Sequence, residues 1–279
     1  MGGRGGPSLA LHGLVLILFI FPCFAAAAWS VKVVGRVPHD ADCFTQGLFF
    51  HEGFLYESCG LWGKSNIRKV NAASGRVVQQ THLADEHFAE GAERVGSEVV
   101  VLTWRSGVAL RYNLDGAPFA VQSSHRYAGE GWGLCLLPSG VRHSNFAPVL
   151  VMSDGSDTLF FRHPDTFQLL GQQRVFLASG KPLNMINELE CVDGWVFANA
   201  WYDHNIYAIN PHAGTVNAAF AFNKFQLLDG RDPKAQTADV LNGIAYDSTQ
   251  SVFYITGKLW PAIFKAEITI PYPPLSTVR

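Results

Sequence analysis

Phe88-Ala89-Glu90-Gly91 carries a pattern that returns along the whole chain: a polar residue beside Gly or another small residue, at the start of a run with strand character. In order, the echoes are Thr45-Gln46-Gly47-Leu48, Ala89-Glu90-Gly91-Ala92, Gly131-Trp132-Gly133-Leu134, Ile186-Asn187-Glu188-Leu189 and Leu241-Asn242-Gly243-Ile244. Gly47 and Gly91 are 44 positions apart, Gly133 follows after 42, and Glu188 and Gly243 each after a further 55. A recurrence of roughly 40–55 residues is the period of a propeller, one repeat per blade.

Between the echoes the chain reads as short strands. Residues 46–50 and 54–58 are aromatic-rich runs joined through His51-Glu52-Gly53, a hairpin signal. Residues 67–70 and 76–82 follow across the loop Asn71-Ala72-Ala73-Ser74-Gly75. Four short strands make one propeller blade. The second unit turns at Asp115-Gly116, and the third carries an insertion at 138–148. After the fourth, the polar segment 223–237 reads as a surface loop with a helical turn. The fifth unit has only three strands of its own, and the early run 31–37 is available to complete it, as ring closure in propellers requires. The fold class expected is therefore all-β: a five-bladed propeller of four-stranded antiparallel blades. A four-stranded sheet has two apolar faces that it cannot bury alone, and a ring of five buries both.

The ends read differently. Arg4, the apolar stretch 9–24 and the alanines at 25–28 form a secretory signal peptide. Its unbroken apolar run, 14–21, is shorter than the ~20 residues of a bilayer span, so cleavage is expected over a membrane anchor. The domains are then a leader at 1–28, one propeller at 29–269 and a Pro-rich tail at 270–279. Secretion is expected, with vacuole, Golgi or ER lumen as alternatives. Of 21 Lys and Arg only Arg4 lies in the leader, against 23 Asp and Glu, and no basic run exists; a nucleic-acid partner has no electrostatic support. A monomer with no membrane contact after cleavage is expected. Cys43, Cys59, Cys135 and Cys191 remain in the mature chain. An oxidising compartment permits disulfides; Cys43 and Cys59 are the preferred pair because they end one hairpin, and four buried thiols are the alternative.

In a propeller the first strand of each blade lines the axis, so equivalent positions converge. Those positions are Gln46, Glu90, Trp132, Asn187 and Asn242, and the matching second-strand exits are Cys59, Trp104, Gly155, Trp201 and Lys258. One carboxylate, three amides, three tryptophans and one lysine should share a mouth, the apolar-walled form of a small-molecule site with a few aimed polar groups. Each has a bland alternative. The glycines serve close packing, the tryptophans serve a core, and the amides satisfy turns. Glu90 fits worst as filler, because a carboxylate on an inner strand is paired or functional; an inert salt bridge to Lys258 is its bland reading. Gly63-Lys64-Ser65 resembles the end of a phosphate loop, but Ser58 stands at the first glycine position. Asp154-Gly155-Ser156-Asp157 lacks the downstream glutamate of a calcium loop. No zinc spacing and no nucleophile elbow is present.

These residues resemble a known family. Phe44-Thr45-Gln46-Gly47-Leu48, Phe88-Ala89-Glu90-Gly91, Glu130-Gly131-Trp132-Gly133-Leu134, Asn187-Glu188-Leu189-Glu190 and Thr256-Gly257-Lys258-Leu259-Trp260-Pro261 are similar to the motifs of plant-type glutaminyl-peptide cyclotransferases, over about residues 31–268. The resemblance implies a five-bladed propeller that converts N-terminal glutamine of peptides and proteins to pyroglutamate with release of ammonia. It implies a metal-independent acyltransferase with no required cofactor and no catalytic metal, a structural cation on the axis remaining an open alternative. It places the catalytic glutamate at Glu90, acting as general acid and base, and substrate-binding residues at Phe44, Gln46, Trp104, Trp132, Asn187, Trp201 and Lys258. Ala89 departs from the more usual glycine, and Cys43 and Cys59 stand where other small residues are usual. Two other classes remain open from the residues alone. A metal-dependent propeller hydrolase needs several axial carboxylates, for which only Glu90 and Glu188 qualify. A peptide- or sugar-binding propeller would not need Glu90 or Lys258.

Overall fold

The computed structural model describes residues 1–2, 28–115, 119–138 and 148–270. Most of the leader, the 138–148 insertion and the tail, and Gly116 of the predicted turn, lie outside the described residues.

β1 (Ser30–Pro38) is the outermost strand of the last blade, paired antiparallel with β20 (Ala262–Thr269). The first blade is β2 (Thr45–His51), β3 (Phe54–Cys59), β4 (Asn66–Asn71) and β5 (Val77–His82). The second is β6 (Ala89–Val95), β7 (Glu98–Thr103), β8 (Val108–Asn113) and β9 (Val121–Arg126). The third is β10 (Leu134–Leu137), β11 (Val149–Met152), β12 (Thr158–Arg162) and β13 (Leu169–Arg174). The fourth is β14 (Ile186–Val192), β15 (Trp195–Ala200), β16 (Asn205–Asn210) and β17 (Thr215–Ala221). Two one-turn helices, α1 (Lys224–Leu227) and α2 (Pro233–Gln236), occupy the polar segment expected to be a loop with a helical turn. The fifth blade is β18 (Leu241–Asp247), β19 (Val252–Gly257), β20 and β1. The ring closes by joining the chain's first strand to its last, as the missing fourth strand of that blade required.

The core follows from this arrangement. Five clusters of buried apolar residues sit one at each junction between adjacent blades, such as Leu48, Leu55, Tyr254 and Ile263 between the fifth and first. Each blade thus uses both faces. The inner strands β2, β6, β10, β14 and β18 are largely buried where they touch one another around the axis, while the outer β5 and β13 alternate toward solvent and β9 is almost wholly exposed.

The recurring small residues have a packing role. A Cβ on Gly91 would lie 2.6 Å from the backbone nitrogen of Leu134 on the next inner strand. Four of the five inner strands also carry a register irregularity at this point: between Thr45 and Gly47, Ala89 and Ala92, Ile186 and Leu189, and Leu241 and Ile244. A bulge re-aims the side chain beside it. Gln46, Glu90, Asn187 and Asn242 are the residues so re-aimed, out of the ladder and toward the axis.

Two disulfides tie the inner region. Cys43–Cys59 is the pair expected from the hairpin; Cys135–Cys191 was not singled out, and the thiol alternative is set aside. The second pair joins the inner strands of neighbouring blades three and four, a proximity that appears once the repeats are laid side by side.

Candidate active site

All eight sequence-predicted site residues line one cavity of about 210 Å³ at the mouth: Phe44, Gln46, Glu90, Trp104, Trp132, Asn187, Trp201 and Lys258. Leu61 and Phe88 complete the lining and were missed. Phe88 had a signal, since it opens the very motif around Glu90. Leu61 is placed by a left-handed turn (φ 93°) that the repeat pattern does not announce, and the family resemblance of its segment was the available signal. Asn242 does not line the cavity. It lies beneath, donating from Nδ2 to the Thr45 carbonyl (2.9 Å) and to Gln46 Oε1 (3.3 Å), and so holds the Gln46 amide. Of the second ring, Cys59 is in its disulfide and Gly155 makes room: a Cβ there would come within 2.6 Å of the Trp132 indole.

Glu90 sits at the floor, 5% exposed. Its Oε1 accepts from Gln46 Nε2 at 2.9 Å, and its backbone carbonyl accepts from Ser58 Oγ. Burial pushes its carboxyl well above the usual carboxylate range; Lys258 opposes the shift and Glu130 adds to it. Lys258 moves the other way. Burial lowers its ammonium, with Glu90 and Asp239 opposing. The inert salt bridge is not what forms: Lys258 Nζ lies over the Phe44 ring (4.7 Å) and toward the Trp201 ring (5.6 Å), acting on Glu90 across the cavity. Asn187 is buried, and its Oδ1 has no hydrogen-bond partner. A buried orphan polar atom on a cavity wall calls for an explanation, and a polar ligand supplies one.

The aromatic wall is fixed by a residue the sequence reading quoted but gave no role. Glu130 Oε2 accepts both Trp104 Nε1 (2.7 Å) and Trp132 Nε1 (3.0 Å), and its Oε1 accepts Arg105 Nε (3.1 Å). Its position two residues before Trp132 was the available signal. Trp201 meets Trp132 edge to face, with centroids 5.5 Å apart.

The axis below carries more carboxylates than the sequence reading counted. Glu93, Glu188 and Glu190 are all buried there, each accepting from backbone N–H groups; Glu188 takes those of Leu48 (3.2 Å) and Ile244 (2.8 Å). Burial and, for Glu188 and Glu190, neighbouring acids push the carboxyls up, Glu93 to about 7. These oxygens are the donors that a structural cation on the axis would use, and none lines the cavity. His39, Cys43 and Glu57 also lie close together. They do not fit a metal, since the Cys43 sulfur is in a disulfide and Glu57 is bonded to His39, Thr45 and Arg68.

What the fold and site define is a five-bladed propeller with a buried carboxyl at the base of an aromatic cavity, ringed by amides and a lysine. Residues 21–268 match the family model described as glutamine cyclotransferase, and the chain belongs to that family. It is similar to the glutaminyl-peptide cyclotransferase of Arabidopsis thaliana, 31% identical over 243 residues that cover 86% of this chain and 71% of that protein. It is also similar to the crystal structure of Myxococcus xanthus glutaminyl cyclase, at 35% identity and a TM-score of 0.73, covering 85% of this chain and 96% of that one.

Proposed function

We propose that this protein converts the N-terminal glutamine of peptides and proteins into pyroglutamate, releasing ammonia, as a metal-independent acyltransferase with Glu90 as the proton shuttle. The observation that carries the reading is the Glu90 carboxyl, buried beside Gln46 with its proton affinity raised, on the floor of a cavity with aromatic walls.

The reaction needs one group to take and return a proton. The α-amine nitrogen attacks the side-chain carboxamide carbon of the same residue, forming the ring C–N bond and a tetrahedral centre. The bond to the amide nitrogen then breaks. The attacking nitrogen gives up one proton and the leaving nitrogen gains one, so ammonia departs and the balance closes without any other reactant. A carboxyl with raised affinity is suited to both transfers, because its pKa approaches the working pH. Trp104, Trp132, Trp201 and Phe44 would press on the glutamine methylenes and hold the side chain folded back on the amine, which supplies the orientation part of the rate. Gln46, Asn187 and Lys258 would donate to the substrate carbonyls, and the unpartnered Asn187 Oδ1 is free to accept from a substrate N–H. Entry by way of a cleaved leader at 1–28, and secretion of a monomeric domain at 29–269, belong to the same reading.

The test is ammonia release from a Gln-initiated dipeptide by wild type and Glu90→Gln, with and without EDTA. Turnover by wild type that EDTA leaves unchanged, and a loss of at least ~10² in a folded Glu90→Gln variant, is the expected result from the range of general acid–base catalysis. Turnover retained by the variant would remove Glu90 from the role. Chelator-sensitive turnover would overturn metal independence.

A further inference from the structure

The cavity holds about 210 Å³, less than the roughly 300–1,000 Å³ of sites that engulf a drug-sized ligand. On the cyclisation reading, on which this inference rests, the first residue of the peptide fills it. The second residue must then cross the rim. Three side chains stand out of that rim into solvent: Trp62 (51% exposed), Tyr202 (70%) and Arg105 (62% of its side chain).

None is an isolated surface group. Trp62 packs edge-on against Phe88 (5.6 Å between centroids) and leans on Trp104 (6.4 Å). Tyr202 stacks on Trp201 (4.5 Å, 20° between planes). The Arg105 guanidinium covers the Trp104 ring at 3.9 Å. The inner partner in every case lines the cavity, so the aromatic wall continues unbroken from the floor to open water. Tyr202 is held at φ 67°, within a turn closed by Asp203 N–H to the Ala200 carbonyl (2.9 Å). A bulky side chain enters that left-handed region at a cost, and the turn keeps its ring on the rim. Arg105 is already paired with Glu130, so the rim does not present that charge free to an acidic residue. What it offers is ring faces.

We propose that Trp62 and Tyr202, with Arg105 stacked between pocket wall and solvent, form an outer subsite for the second residue of the substrate, and that it takes an aromatic or large apolar side chain. Ring contacts of this kind are worth roughly 2- to 12-fold each beyond area burial.

The experiment measures kcat/KM for ammonia release from Gln-Phe-amide, Gln-Gly-amide and Gln-Glu-amide by wild type, Trp62→Ala, Tyr202→Gly and the double variant. Glycine is chosen at 202 because it accepts the left-handed backbone, and thermal melts confirm that each variant is folded. Wild type should prefer Gln-Phe-amide over both others by about tenfold. Each single substitution should cut the Phe-to-Gly ratio by roughly 2- to 12-fold, and the double variant should bring it near one. Equal kcat/KM for all three peptides in wild type would overturn the subsite alone. So would variants that lose Gln-Phe-amide and Gln-Gly-amide in equal proportion. No ammonia from any peptide with folded wild type would overturn the cyclisation reading along with it.

Discussion

Glu57 and Glu90 are both buried carboxylates on strands of adjacent blades, and the protein holds them in opposite ways. Glu57, on β3, accepts from His39 Nε2 (2.8 Å), Thr45 Oγ1 (2.7 Å) and Arg68 Nε (2.9 Å). Arg68 in turn reaches Asp40 (2.8 Å), and His39 Nδ1 faces the Trp260 carbonyl (2.6 Å), so the network staples the first blade to the fifth. Burial alone would raise the Glu57 carboxyl, but Arg68 and His39 outweigh it and hold the group ionised, far below the usual range. Glu90 receives one amide N–H and a cation across a cavity, and burial wins. The same residue type is thus held as a fixed charge in one place and pushed toward its neutral form in the other. The number of donors within contact decides which.

Breaking the fixed charge should have the largest effect. Glu57→Gln leaves the buried Arg68 guanidinium with only the half-exposed Asp40 as counter-ion, a change bounded by the about 3–5 kcal/mol of breaking a buried pair and read as a lower midpoint in urea or heat. The pH dependence follows from the sign of the shift. A carboxyl lowered in the folded state adds stability above its unfolded value, near 4.5, and loses it as the pH falls below. The gap between wild type and Glu57→Gln should therefore be full at pH 7 and shrink in acid. A gap that does not change with pH would mean that the carboxylate's charge is not what holds the staple.

Glu90→Gln inverts this. Its turnover loss of at least ~10² corresponds to about 2.7 kcal/mol of barrier, yet its stability should not fall. A carboxyl raised in the folded state gives its full stability only below about 4.5 and loses it as the pH climbs toward the folded value. A neutral amide of the same shape avoids that loss. Melting temperatures at pH 8 should place Glu90→Gln level with wild type or above it, an inactive variant at no cost in stability. A clear loss of stability at pH 8 would make Glu90 another structural acid.

The contrast also explains what could be read in the sequence. The five echoes gave the blade count, because close packing of inner strands leaves a glycine at a fixed place in four blades, with Glu188 in the other, and in four blades the residue before it turns inward at a bulge. That geometry made Gln46, Glu90, Asn187, Trp104, Trp201 and Lys258 findable from spacing, and the family motif added Phe44. The Glu57 network was invisible. Thr45 opens the first echo, but His39 and Arg68 come from other segments that no repeat marks. Glu130 was in plain view beside Trp132, but its role depends on two indole N–H groups from different blades pointing at one oxygen. Contacts made between repeats, rather than within one, leave no period to read. Cys135–Cys191 and the axial Glu93 and Glu190 escaped for the same reason.

Glu130 gives the next smaller effect. Replacing it by Gln removes the charge from three hydrogen bonds that set the pose of Trp104, Trp132 and Arg105. Hydrogen bonds to charged groups are worth about 1.5–3 kcal/mol. The amide retains an acceptor, so the expected loss in kcat/KM is about tenfold, with a change in tryptophan fluorescence.

The smallest effect discriminates best. The charged groups that act on Glu90 are Lys258 and Glu130, one favouring the carboxylate and the other opposing it. If Glu90 must lose its proton to accept one from the substrate amine, the acid limb of the kcat/KM–pH profile follows its titration. Lys258→Met removes the attraction and should move that limb to higher pH. Glu130→Gln removes the repulsion and should move it to lower pH. A side chain that mattered only for packing would lower the whole profile without sliding it, and two variants harmed through the fold would not slide in opposite directions. Limbs that stay in place in both variants would assign the titration to another group, the substrate's own amine being the first candidate.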